Sequence, residues 1–320
     1  MKNPSIGVDL GGSHVTAAVV DESGTIVDRF EQDIVKHDFD DVVKIVAKVV
    51  EEAVGSVKGR VEVIGVGSPG GIDAATGVVH YSPNFSWYDV PLGARLSERL
   101  GRPVIVANDA SCATLGEHTY GIGRGTRDFV LLTLGTGIGS GIVAGGELLL
   151  GHAGGAGELG HHQIRATDGF ACTCGKIGCF EAQASGTGLI RHALTLAPSF
   201  PRSELVSGKP ANLGSKSIGK AAQNGDAHAL AAWTRYVTDL AIGITNLIGF
   251  VNPELIALGG GVAAGAGDFL ISALVPRVDE LTRMIPRGGT RIEAAALGND
   301  AGAIGASIVA RQGGLVVVKA

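Results

Sequence analysis

Residues 5–20 read SIGVDLGGSHVTAAVV. A short apolar run from Ser5 to Leu10 ends in Asp9-Leu10-Gly11-Gly12-Ser13. A second apolar run, Val15 to Val20, follows at once, and after a turn at Asp21 to Gly24 a third strand runs from Thr25 to Phe30. The pattern predicts an antiparallel meander. The tight turn at Gly11 and Gly12 leaves backbone N–H groups uncovered by side chains. Such a nest suits a phosphate, and Ser13 adds a hydroxyl. Asp9, at the strand end, is placed to hold Mg²⁺ through water. An ordinary glycine hairpin has the same pattern, so the weight comes from repetition. Phe129 to Leu134 is a strand leading into Gly135-Thr136-Gly137-Ile138-Gly139-Ser140-Gly141, with a further strand through Val143 and a hairpin turn at Gly145 and Gly146. Two strand–glycine turn–strand units suggest an internal duplication. The second turn leads into a strand rather than a helix, which excludes the dinucleotide-binding fingerprint.

Between and after these units the chain alternates helices and strands. Asp40 to Val54 has helical apolar periodicity. Val61 to Gly67 is a buried strand that runs into the turn-rich Ser68 to Asp73, a strand end of the kind where ligands sit in α/β sheets. Tyr81 to Asn84 reads as a loop, Leu92 to Leu100 as a helix and Val104 to Ala107 as a strand. Asn108 and Asp109 then precede a helix from Ala110 to about Tyr120. Asp109 has two readings: a cap for that helix, or a carboxylate at a strand end, placed to accept a proton from a substrate hydroxyl. Helices follow at Gly186 to Leu196, Ser217 to Gln223 and Ala227 to Phe250, with a polar surface loop over 198–215. Leu255 to Leu258 is a strand ending in Gly259-Gly260-Gly261. That turn would let a flat ring such as adenine lie on the backbone, or it is a plain strand-to-helix turn. A helix over Gly267 to Leu274, a strand over Arg291 to Ala296 and a helix over Ala301 to Ala310 complete the chain.

The stretch from Gly151 to Glu181, GHAGGAGELGHHQIRATDGFACTCGKIGCFE, is the richest in chemistry. Cys172, Cys174 and Cys179 form a C-x-C-x4-C cluster, with His161 and His162 upstream and Glu158 and Glu181 on either side. Three cysteines and one histidine make a complete tetrahedral zinc set, and a closed set is structural because no position remains for substrate. Four cysteines in 320 residues do not make a disulfide scaffold. Gly175 and Gly178 allow the tight turns that close thiolates need. Either histidine could complete the set by spacing.

A net charge of −5 gives no electrostatic footprint for nucleic acid. No apolar run reaches the length of a membrane span, and the first residues lack the apolar core of a signal peptide. The expectation is a cytoplasmic protein with reduced thiols and, at 45% apolar residues, a sizeable core.

These motifs together resemble the ROK family of sugar kinases and repressors, over nearly the whole chain. The resemblance is strongest at residues 9–13, at 134–141 and in the pairing of Glu158-Leu159-Gly160-His161 with Cys172-x-Cys174-Gly175-x-x-Gly178-Cys179-x-Glu181. SPNFSWYDVPL and ANDASCATLGEHTYGIGRG are similar to stretches of the family's glucokinases. The resemblance implies an α/β actin-like ATPase (ribonuclease H-like) fold with two domains around a cleft. Residues 1–109 plus 301–320 would form the smaller domain, and 110–300 the larger one with the zinc loop. It assigns Asp9, Gly11, Gly12 and Ser13 to phosphate and Mg²⁺, Thr136 and Gly137 to the second phosphate hairpin, and Gly260 and Gly261 to the adenosine of ATP. Sugar contacts would come from Gly71, Asn108, Asp109, Glu158, His161 and Glu181, with Asp109 as catalytic base. Structural Zn²⁺ would sit on His161, Cys172, Cys174 and Cys179, His161 being chosen because it completes the E-x-G-H match. Ser13 stands where the family usually carries threonine, which keeps the hydroxyl.

The implied activity is ATP-dependent phosphorylation of glucose at its 6-hydroxyl, by a homodimer or homotetramer. Relatives use fructose, mannose, allose or N-acetylhexosamines, and polyphosphate is an alternative donor. A non-catalytic sugar-binding protein is a further reading. A repressor would carry a helix-turn-helix ahead of the first glycine turn, and the hairpin here begins within ten residues of Met1.

Overall fold

The structure is a computed structural model that describes residues 4–152, 154–206, 213–286 and 288–315. Strands β1 (Ser5–Leu10), β2 (His14–Val20) and β3 (Ile26–Asp33) form the expected meander, followed by helix α1 (Phe39–Ser56) and strand β4 (Ile64–Ser68). Three short strands come next, β5 (Gly71–Asp73), β6 (Val78–Ser82) and β7 (Trp87–Val90), then α2 (Leu92–Leu100), β8 (Val104–Asn108) and α3 (Asp109–Tyr120). The second half holds β9 (Phe129–Leu134), β10 (Ile138–Ala144), β11 (Glu147–Leu148), α4 (Phe180–Ala184), α5 (Gly186–Leu196), α6 (Ser215–Gln223) and α7 (Ala227–Val251). It closes with β12 (Leu255–Gly259), α8 (Gly260–Ala266), α9 (Asp268–Leu281), β13 (Arg291–Ala294) and α10 (Ala301–Gln312).

The first sheet has the order β3-β2-β1-β4-β8 and the second β11-β10-β9-β12-β13. Each has a central strand that pairs in parallel with the fourth, and the fourth pairs in parallel with the fifth. The same order in both sheets is what a duplicated unit requires. The chain divides into two compact units, one of residues 1–125, 141–157 and 299–320, the other of 126–140 and 158–298.

In the first unit the period-two alternation of β1 decides what covers each face. Ile6, Val8 and Leu10 are buried in one core with Val42, Val46, Val49 and Val50 of α1. Asp38 caps α1 by accepting from the N–H groups of Asp40 and Asp41. On the opposite face, Gly7 and Gly65 are partners in the β1–β4 register. Together they make a strip without side chains, and α10 lies directly on it. A Cβ on Gly7 would come within 1.9 Å of the Ala303 carbonyl oxygen, and one on Gly65 within 1.9 Å of that of Ala306.

Several sequence expectations need correction. Tyr81 to Asn84 is not a loop throughout: Tyr81 and Ser82 end β6, in a three-stranded sheet of order β5-β6-β7. The short strands were hidden because turn residues crowd their ends. The helix expected over Gly267 to Leu274 is present as the longer α9, and a further short helix, α8, precedes it. Gly260 opens α8 at φ +81, and Gly267, at φ +49, turns the chain into α9. The glycine cluster at Gly259 to Gly261 is therefore a strand-to-helix turn in its backbone. Part of the polar loop over 198–215 (residues 207–212) lies outside the described residues, as do residues 316–320 of the expected small domain. Among the described residues no single helix is long and apolar enough to cross a membrane.

Candidate active site

In the first unit, parallel pairing aligns the carboxyl ends of three strands. Asp9 of β1 is opposite Gly67 of β4, and Ser68 of β4 is opposite Asn108 of β8. This register brings Asp9 and Asp109 to one edge of the sheet. Burial, and then the charge on Asp109, push the Asp9 carboxyl up to about 6. Burial also raises the pKa of Asp109. A buried carboxylate beside a second negative charge is relieved by a cation, so Asp9 fits a Mg²⁺ site. The Asp9 carboxylate also touches α10, because a Cβ on Gly302 would lie 2.8 Å from its Cγ.

The two readings of Asp109 are separated by its neighbour. Asn108 is the cap of α3: its Oδ1 accepts from the Ser111 N–H at 3.0 Å, and its Nδ2 donates to the Gly70 carbonyl at 3.1 Å. Asp109 is the first residue of the helix, where its Oδ1 accepts the Ala110 N–H at 2.8 Å. Its carboxylate is not needed as a cap. The glycine turn at 11–14 closes on itself, since the Gly11 N–H donates to the His14 carbonyl. That leaves Gly12 and Ser13 to carry the nest. Gly71 starts β5 opposite Tyr81, and a Cβ on it would meet nothing within 4 Å.

In the second unit the glycine turn at 135–137 repeats the first. The Gly135 N–H donates to the Gly137 carbonyl at 3.0 Å. Thr187 Oγ1 donates to the Thr136 carbonyl at 2.8 Å, which fixes the turn on the start of α5. Glu181 sits behind it. Its Oε2 accepts from the Ile138 N–H at 3.0 Å, and a Cβ on Gly137 would lie 2.2 Å from that oxygen. Its Oε1 is 3.9 Å from the Cys172 sulfur. Glu181 thus ties the cysteine loop to the turn. Gly260 could not be another residue, because a Cβ there would come 2.7 Å from the Leu134 backbone.

The four expected zinc ligands converge. The donor atoms of His161, Cys172, Cys174 and Cys179 all lie within 4.8 Å of one another. Cys174 Sγ is 3.6 Å from Cys179 Sγ, and Cys172 Sγ is 3.6 Å from His161 Nδ1. A tetrahedral zinc ion with sulfur at about 2.3 Å and nitrogen at about 2.0 Å places its ligand atoms roughly 3.5–3.8 Å apart, so the donor set fits. Gly175 and Gly178 both have positive φ, +88 and +75, as the tight turns demand. His162 stands apart from the cluster. Its Nδ1 meets the Leu159 carbonyl, and its ring lies 5.2 Å from that of Phe180. His161 Nε2, the nitrogen turned away from the cysteines, is 4.0 Å from Glu158 Oε2.

Sequence reasoning missed what holds this loop in place. Arg165 donates twice to Asp239 Oδ1, from Nε at 3.1 Å and Nη2 at 2.6 Å, and the Asp239 side chain is fully buried on α7. His192 Nε2 of α5 is 3.1 Å from Asp239 Oδ2. No local pattern links Arg165 to a partner so far along the chain. The role of Asn108 was also missed, although an asparagine just ahead of a helix is a cap signal.

The topology and its α/β layers define an actin-like ATPase (ribonuclease H-like) fold. The ROK family profile matches residues 5–313. The chain is 38% identical over 312 residues to a glucokinase of Thermotoga maritima, covering 96% of this chain and 97% of the relative. It is 37% identical over 313 residues to a glucokinase of Halalkalibacterium halodurans, covering 96% and 94%. The crystal structure of a ROK family glucokinase from Streptomyces griseus, in complex with glucose and AMPPNP, superposes with a TM-score of 0.85 at 33% identity, covering 97% of this chain and all of that one. The chain belongs to the ROK family.

Proposed function

We propose that the chain is an ATP-dependent glucokinase that transfers the terminal phosphoryl group of ATP to the 6-hydroxyl of glucose. The glucokinase relatives, similar over almost their full length, and the fold shared with a glucose- and AMPPNP-bound structure support the reaction and the substrate. The observation that carries the catalytic part is that Asn108 caps α3, while among the described residues the Asp109 carboxylate accepts only from the backbone N–H groups of Ala110 and of Asp109 itself.

In this reading Asp109 accepts the 6-hydroxyl proton as the oxygen bonds to phosphorus and ADP departs. A carboxyl with a raised pKa is the stronger base. Gly12 and Ser13, on the turn that Gly11 closes, receive the phosphates with Thr136 and Gly137, and Gly260 and Gly261 take the adenosine. Asp9 would hold Mg²⁺, which supplies the charge neutralisation that phosphoryl transfer needs. Gly71, Asn108, Glu158, His161 and Glu181 orient the sugar hydroxyls. His161, Cys172, Cys174 and Cys179 would hold a structural Zn²⁺. The contact between His161 Nε2 and Glu158 then couples the metal loop to the sugar. The protein works in the cytoplasm, as a homodimer or homotetramer.

The test is a coupled assay with ATP, Mg²⁺ and a panel of hexoses, with zinc determined on the same sample. Highest kcat/KM on glucose with about one zinc per chain is expected from one four-ligand set. Preference for another hexose, or for polyphosphate over ATP, would replace the reading.

A further inference from the structure

The turn between β6 and β7 is built as a rigid support. Phe85 and Trp87 are buried, with their rings stacked at 4.3 Å and an interplanar angle of 17°. Trp87 Nε1 donates to the His37 carbonyl at 3.0 Å, and Phe39 meets the Trp87 ring edge-on. Ser86 between them is held at φ +57, a left-handed conformation that a non-glycine residue adopts at some cost. Asn84 is exposed at the start of this anchored turn. Its side chain lies along the first glycine hairpin: a Cβ on Gly12 would sit 3.2 Å from its Nδ2 and 3.6 Å from its own Cβ.

An asparagine chosen for its turn preference usually bonds its own backbone two residues on. Among the described residues the Asn84 side chain makes no hydrogen bond. A rigidly held, exposed amide beside a phosphate-type nest, with its donors unspent, has the chemistry of an anion ligand. Turn strain and ring stacking fix where it stands.

We propose that Asn84 is a phosphate-binding residue of the nucleotide site, donating from its amide nitrogen to an oxygen of the terminal phosphoryl group held on the Gly11–Ser13 hairpin. This rests on the glucokinase reading above. A hydrogen bond to a charged group sets the expected effect. Asn84→Ala should lower kcat/KM for ATP about tenfold. Asn84→Asp, which replaces the donor with a like charge, should lower it about a hundredfold. The KM for glucose should stay within twofold in both. Binding of AMPPNP, followed by calorimetry, should weaken in parallel, whereas AMP, which lacks the terminal phosphoryl group, should bind as in the wild type.

Asn84→Asp with wild-type kcat/KM for ATP and wild-type AMPPNP affinity overturns the proposal. So does an equal loss for AMP and AMPPNP, which would show a merely structural turn. A wild-type chain that binds AMPPNP but phosphorylates no hexose defeats the glucokinase reading instead, and the binding comparison then decides Asn84 by itself.

Discussion

Asp109→Asn separates chemistry from structure cleanly in this chain. Asparagine keeps an Oδ1 acceptor for the Ala110 N–H and keeps the shape of the side chain. The cap of α3 is Asn108, so the helix start is unaffected. What disappears is the proposed base. A positioned general base contributes about 10²–10⁴-fold, or about 3–5 kcal/mol at 1.36 kcal/mol per tenfold. Kcat should fall by that factor, with the KM values for ATP and glucose changing far less. Stability should move the other way. The pKa of Asp109 is raised in the folded protein, so the favourable contribution is present only below the unfolded-state pKa and is lost as pH rises through the folded value. At neutral pH the buried charge costs stability. Asp109→Asn should therefore leave Tm unchanged or raise it, by an amount that vanishes under acid conditions. In the wild type, the acid limb of kcat/KM for glucose should lie above the ordinary carboxylate range, because the base must be ionised. Steady-state kinetics and thermal melts from about pH 4 to pH 8, a window spanning the ordinary carboxylate pKa, read all of this. A variant that keeps more than a tenth of the wild-type kcat refutes Asp109 as the base. One that loses both activity and Tm shows that the structural assignment of Asn108 is wrong.

Three further outcomes follow from the same geometry. Chelation, or Cys174→Ser, should release zinc and raise the KM for glucose about tenfold or more, as loss of metal support does, with the KM for ATP nearly constant; an unchanged glucose KM in a zinc-free sample would break the coupling through His161 and Glu158. Arg165→Ala leaves Asp239 buried with His192 as its remaining partner and should cost about 3 kcal/mol in urea unfolding, with Arg165→Lys recovering part of it through a single donor; no loss would mean that the ion pair does not form. Two glycines of α7 should respond with opposite signs. Gly249→Ala meets nothing within 4 Å and should gain about 0.5–1 kcal/mol from helix propensity. Gly243→Ala would bring a Cβ within 2.1 Å of the buried Phe180 ring and should lose about 1–3 kcal/mol. Equal effects at the two positions would contradict the packing of α7 on α4.

The local grammar of the chain determined a great deal. Apolar runs bounded by glycine pairs marked both meanders, helical periodicity marked α1 and α7, and the spacing of three cysteines and a histidine marked a four-donor set. These features are legible because each depends on residues close together in the chain. Tertiary structure decided what no local pattern encodes. The register that aligns Gly7 with Gly65 allows α10 to lie on bare backbone. The choice of His161 over His162 comes from which imidazole nitrogen faces Cys172, since both histidines suit the spacing. That Asn108 rather than Asp109 caps α3 shows only in the Asn108 side chain on Ser111 and Gly70. The pairing of Arg165 with Asp239 joins residues far apart in the chain, and only the folded backbone brings two such side chains within reach.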